Sequence, residues 1–175
     1  MDLSIYALEL AKNSIKAQAK KIDIIIDENV NENYISIKVI DNGHGIEKEK
    51  LEVIRSPFKK NEISLGIPML QQVCNLCNGN LSISSDINNG TAICATMEYN
   101  NIDRPPLGDT ATTISKLLAS NPQVNFKYIH KYNDKKYIFD VDKIKGIMND
   151  IQLGEPAMIA WIKDTINEGV SNIKS

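Results

Sequence analysis

Glu9 and Asn13 stand four residues apart in a stretch of helical periodicity, so a carboxylate and an amide project from one helical face. An amide oxygen can coordinate Mg2+, which keeps several waters and binds phosphate oxygens as well, and a neighbouring carboxylate can accept a proton from an attacking water. A second group, Asp41-x-Gly43-x-Gly45, follows an apolar strand. Its carboxylate could accept a hydrogen bond from an exocyclic amine such as that of adenine, and its glycines let the chain turn sharply and come close to a ligand. Third, Ser64-Leu65-Gly66 opens a helix, where free backbone N–H groups and the helix dipole favour phosphate oxygens. Fourth, Gly90-Thr91 starts a strand after a turn, placing a hydroxyl where it could join Asp41 in holding a base or a water beside it. Each has a plainer explanation: a solvated helix face, a common turn, a helix start, and a β-former after a β-turn. Their order and spacing are what set them apart.

The elements that must position these groups follow from periodicity. Leu3, Ala7, Leu10, Ala11, Ser14 and Ile15 recur at helical spacing over residues 3–19, with Asp2 available as a cap. Isoleucine-rich stretches at 22–27 and 34–40 read as paired strands around the turn-prone 28–33 segment. A short helix over 47–55 is ended by Pro57, and a loop over 56–65 leads to a helix over 66–78 closed by Gly79. Strands at 81–85 and 91–97 flank Asn88-Asn89-Gly90, where Asn-Gly supplies the positive φ of a tight hairpin. Helix, hairpin, two helices, hairpin predicts a sheet covered on one face by helices. Beyond a break at residues 104–108, a capped helix over 109–120 begins a further unit. Strands at 124–132 and 136–141 and helices at 142–151 and 156–173 follow, and the tail reads as either a second small layer or an extension of the first domain.

Bulk properties narrow the class. With 175 residues, 42% hydrophobic and 24% charged, the chain has the composition of a folded globular domain, and no apolar run can cross a bilayer. The N-terminus shows no basic-then-apolar signal, so a cytoplasmic address is expected. A net charge of −2 with scattered lysines gives no field for a nucleic-acid backbone. Three cysteines do not make a disulfide framework, and Cys74, Cys77 and Cys94 fall short of four tetrahedral ligands, so they read as small buried hydrophobes.

In chain order, the four groups match one known pattern. Residues 9–22, ELAKNSIKAQAKKI, resemble the N-box of the GHKL superfamily, which includes gyrase, the mismatch-repair MutL proteins and histidine kinases. Asp41-Asn42-Gly43-His44-Gly45-Ile46 resembles its first glycine box, residues 64–67 stand where the second belongs, and Gly90-Thr91 matches the last. The likeness covers about residues 2–99. It implies an α+β fold: a Bergerat-type α/β sandwich with a mixed, largely antiparallel sheet and helices on one face. Residues 1–100 would form this ATP-binding domain and residues 101–175 a small C-terminal α+β extension. It implies ATP and Mg2+ as ligands. Asn13 would hold Mg2+, Asp41 the adenine amine and Thr91 the adenine edge; Gly43, Gly45 and Gly66 would shape the pocket and lid. Lys16 resembles the lysine that reaches the phosphates in histidine kinases. Ser56-Pro57-Phe58-Lys59 resembles the phenylalanine box of their lid, making Lys59 a further phosphate candidate. Glu9 would be the general base.

Ser64 replaces a glycine of the family pattern and the stretch between Gly45 and Gly66 is short, which weighs against lid closure and efficient turnover. His44 lies inside a glycine box and His130 lacks the acidic neighbour of a phosphoacceptor helix, so a self-contained histidine kinase is not expected. The whole chain, residues 102–109 included, is similar to small stand-alone ATP-binding proteins of anaerobic bacteria. The resemblance therefore implies a weak Mg2+-dependent ATPase or protein kinase working through a regulatory protein partner, as anti-sigma kinases do. The alternative is a non-catalytic module in which ATP or ADP occupancy sets the conformation of residues 56–65.

Overall fold

Alternation at period two builds the sheet. In β1 (Lys21–Asn29) Ile22, Ile24 and Ile26 are fully buried while Asp23, Ile25 and Asp27 between them are half-buried. β2 (Tyr34–Asp41) repeats the pattern with Ile35, Ile37 and Val39, and pairs antiparallel to β1 in the register Ile24↔Val39 and Ile26↔Ile37. The computed structural model describes residues 1–55, 66–147 and 152–175. Over these residues β3 (Asn80–Ser85), β4 (Thr91–Glu98), β5 (Asn125–Tyr132) and β6 (Lys135–Asp140) complete one six-stranded sheet of order β3-β4-β2-β1-β5-β6. All neighbours are antiparallel except β1 and β5. The mixed sheet matches the expectation, and its inward side chains, from Ile22 through Ile93 and Met97 to Phe126 and Phe139, form one core under the helices.

Helix α1 (Leu3–Lys16) is started by Asp2, whose Oδ1 accepts the Ile5 N–H at 3.1 Å. Its stripe of Leu3, Ala7, Leu10 and Ala11 lies in the core. The helix ends three residues short of the predicted 19, because Gln18 adopts φ +59 and turns the chain toward β1. Ala19 fits the helical period but is buried in that turn. α2 (Lys48–Arg55) and α3 (Gly66–Leu76) follow; the expected stop at Pro57 lies outside the described residues. After α3 the left-handed residue is Asn78, φ +55, and not Gly79. In the β3–β4 hairpin Asn88 and Gly90 take the positive φ values, of 65° and 78°.

Residues 101–175 add strands to this same sheet. β5 lies parallel to β1 with Ile24 beside Tyr128, and β6 pairs back on β5. α4 (Thr110–Ser120) is capped by Asp109, which accepts the Thr112 N–H at 3.0 Å, and packs on α1 and on α6 (Pro156–Lys174). The last strand stops at Asp140 and α5 (Val141–Ile147) starts one residue earlier than predicted; its expected run to 151 continues into residues outside the described set.

One buried polar chain ties the two halves. His130 Nε2 meets Glu28 Oε2 at 2.6 Å, Tyr128 Oη meets His130 Nδ1 at 2.7 Å, and Lys174 Nζ at the end of α6 reaches Glu28 Oε2 at 2.7 Å. Burial by itself would raise the Glu28 pKa. The hydrogen bonds and positive charge supplied by His130 and Lys174 outweigh it and hold the carboxyl below its ordinary value.

Candidate functional site

A cavity of about 440 Å³ opens between the C-terminal half of α1, the loop after β2, the start of α3 and the hairpin end of β4. That volume falls within the range of small-ligand sites, about 300–1,000 Å³. Asn13, Lys16, Asp41, Gly45 and Thr91, drawn from three separate stretches of sequence, all line it. Glu9, Gly43 and Gly66 are not among the lining residues, although Gly66 directly precedes the lining Ile67. Lys59, with Ser56-Pro57-Phe58 and Ser64-Leu65, lies outside the described residues.

Asp41 ends β2 on its buried face and is 9% exposed. Its Oδ2 accepts the Ser14 hydroxyl at 2.6 Å and its Oδ1 accepts the Gly43 N–H at 2.9 Å. A carboxylate has about four acceptor positions, so these two bonds fix its orientation and leave it capacity toward the cavity. The loop behind it is pinned on both sides. Asn42 Oδ1 accepts the N–H groups of Lys20 and Lys21, each at 2.9 Å, and the His44 N–H donates to the Ala17 carbonyl at 2.9 Å. Two glycines permit this close fit. Gly45 has φ +75, and a Cβ there would stand 1.9 Å from the Asp86 carbonyl oxygen; at Gly43 it would stand 2.7 Å from that of Ala17.

Thr91 Oγ1 lies 2.7 Å from Ser85 Oγ, which also accepts the Ile46 N–H at 2.8 Å and contacts the Gly90 carbonyl at 3.0 Å. Ser85 has one proton. When it goes to the Gly90 carbonyl, Thr91 donates to Ser85 and keeps its acceptor lone pairs for the cavity. Ile46, Ile67, Ile87 and Ile93 supply apolar wall, and Lys16 and Lys50 are the cations of the rim, opposed by Glu47. The Asn13 amide nitrogen is buried with no hydrogen-bond partner among the described residues. Such an orphan costs on the order of 1–3 kcal/mol unless a ligand satisfies it. Glu9 stands one turn earlier on α1, its Oε1 paired with Lys12 Nζ at 3.0 Å.

Among the residues that the sequence reading did not assign to the site, Ser14 and Ser85 brace Asp41 and Thr91. Ser14 carried a signal: it falls on the apolar stripe of α1, where a buried hydroxyl needs a partner. Ser85 carried none, since a serine at a strand end is ordinary. The thiols take no part in the cavity. Cys74 and Cys77 are packed in the core, and burial pushes the Cys74 thiol up to about 12, leaving it protonated and inert. Among the described residues no group of three His, Cys, Asp or Glu is arranged to hold a metal ion, and no helix is long and apolar enough to cross a membrane.

Comparison with known proteins bears on the same part of the chain. Residues 2–101, more than half of the chain, match the family described as histidine kinase-, DNA gyrase B-, and HSP90-like ATPase. Sporulation kinase D of Bacillus subtilis is 29% identical over 93 residues, which make up 51% of this chain and 18% of the kinase. The N-terminal domain of a DNA repair protein superposes with a TM-score of 0.59 at 18% identity, over 87% of this chain and 54% of that one. That likeness is one of fold. The Aquifex aeolicus MutL ATPase domain complexed with ADP gives a TM-score of 0.48 at 15% identity, over 82% of this chain and 67% of that one.

Proposed function

The chain belongs to the histidine kinase-, DNA gyrase B- and HSP90-like ATPase family, and from that membership we propose that it binds ATP in the cavity described above and works through a protein partner. The observation that carries this reading is the convergence of Asn13, Lys16, Asp41, Gly45 and Thr91 on one cavity inside the matched residues. Asp41, already oriented by Ser14 and Gly43, accepts the adenine amine; Thr91 meets the edge of the base; Lys16 faces the phosphates. Gly43 and Gly66 shape the surroundings, and Lys59 is a further phosphate ligand.

Mg2+ fits this donor set. The Asn13 amide, whose nitrogen is held by no hydrogen bond among the described residues, would supply its oxygen as one ligand, and phosphate oxygens and waters would supply the rest, a mode this ion favours over an all-protein cage. Bound there, the ion neutralises phosphate charge. Glu9 is the candidate base, accepting a proton from the attacking water in a weak ATPase or, through the partner, a protein kinase of anti-sigma type.

A second reading has its own support. Glu9 does not line the cavity and its carboxylate is engaged by Lys12, an arrangement suited to a non-catalytic module gated by ATP or ADP. Calorimetric titration with ATP and ADP, with and without Mg2+, followed by phosphate release on the same sample, separates the two. Mg2+-dependent binding with slow release that disappears in Glu9→Ala supports the enzyme. Binding with no release supports the gated module. Asn13→Ala is expected to abolish the Mg2+-dependent part under both, and unchanged affinity in that variant would refute the assignment of the pocket.

A further inference from the structure

A second concavity, a groove of about 630 Å³, runs between α1 and α4 along a different stripe of α1. Its α1 wall carries Ile5, Leu8, Lys12 and Ile15, spaced three, four and three residues apart, which is the seam a neighbouring helix packs against. Leu117 on α4 faces the same groove, and Ile5, Leu8 and Ile15 are only half-buried, so among the described residues nothing fully covers the apolar stripe. Of the eleven lining residues three are lysines and none is acidic, although the chain as a whole carries a net charge of −2. Lys12 is paired with Glu9 and Lys16 also lines the first cavity, while Lys116 belongs to this groove alone and has no ion pair among the described residues.

We propose that this groove docks an acidic amphipathic helix of a partner protein, its apolar face in the Ile5, Leu8, Ile15 and Leu117 floor and its carboxylates on the lysine rim. The inference deepens the reading of a chain that works through a protein partner and rests on it. A helix laid in a groove is a common recognition mode, and the α1–α4 seam supplies both the concavity and the heptad spacing it needs. Charge selects among occupants. A second copy joined by two-fold symmetry would bring the same lysine-rich patch against itself. An anionic bilayer would meet the lysines but could not fill a concave floor between two helices.

The test uses the full chain and a labelled 21-residue helical peptide with leucine at the heptad seam and glutamate on its flanks, a counterpart with lysine flanks, and phosphatidylserine vesicles. Anisotropy is expected to show the acidic peptide binding, weakening with added salt, and Lys116→Glu is expected to reduce its affinity about tenfold or more. Lys116 is exposed, so this variant keeps the fold, which its unchanged melting curve verifies. Methyl shifts at Ile5, Leu8, Ile15 and Leu117 on titration would locate the peptide in the groove. Equal binding of the lysine-flanked peptide, an unaffected Lys116→Glu variant, binding of vesicles but not peptide, or no binding at all overturns the proposal. ATP titration of the same samples reads the nucleotide assignment separately, since Lys116 is not in that cavity.

Discussion

At the scale of single residues, Asp41 is held in one orientation at the cavity, which is what the proposed contact with an adenine amine requires. A carboxylate with 9% exposure is tolerable there because Ser14 and Gly43 each donate to it. Ser14→Ala removes one of those donors and leaves buried oxygen partly unpaired, at a cost of about 1–3 kcal/mol. Urea denaturation should show that loss, and nucleotide affinity should fall with it; an unaltered midpoint would mean that the hydroxyl does not brace the carboxylate. Asp41→Asn turns one acceptor into a donor, which would face the amine of the proposed adenine. The expected loss of nucleotide affinity is about tenfold to a hundredfold, read by calorimetry. Asp41, Gly45, Asn13 and Thr91, which line the cavity, could be singled out in the sequence because each belongs to a short pattern. The Ser14–Asp41 bond joins residues from separate elements, and local patterns contain no information on which hydroxyl meets which carboxylate.

At the scale of elements, local chemistry was readable wherever period and caps agreed. The alternating isoleucines of β1 and β2 and the caps Asp2 and Asp109 led directly to the observed elements. Boundaries shifted where a residue satisfied the helical period without being helical, as Ala19 does. The buried chain of Lys174, Glu28 and His130 escaped the sequence because it joins β1, β5 and the last turn of α6, far apart in order. It has a consequence for acid stability. Glu28 is held below its ordinary pKa, so the stability it contributes is present above the unfolded value, about 4.3, and is lost as pH falls through the lower folded value. Denaturation of the wild type and Glu28→Gln across pH 7 to about 3 should therefore show a stability gap that is widest near neutrality and narrows in acid. A gap independent of pH would assign the effect to packing alone.

At the scale of the whole molecule, the family match ends near residue 101 but the sheet does not. β5, from the following segment, covers the edge of β1 that β2 leaves open, and α4 packs beside Ile24 and Ile26. A chain cut after Asn101 would expose a nine-residue strand edge and an apolar face, the combination that leads to aggregation. It is expected to be poorly soluble and to lack a cooperative melting transition, and a soluble, cooperatively folded fragment would refute this. The sequence could not choose between a second layer and an extension because strand pairing over such a distance leaves no local mark. The same parallel pairing sets a clock. β1 is synthesised about a hundred residues ahead of the strand that completes it, so it waits with one flank bare while that length of chain is translated, and closing so long a loop is a slow step. The newborn protein is thus most vulnerable early in its life, before the tail has been made.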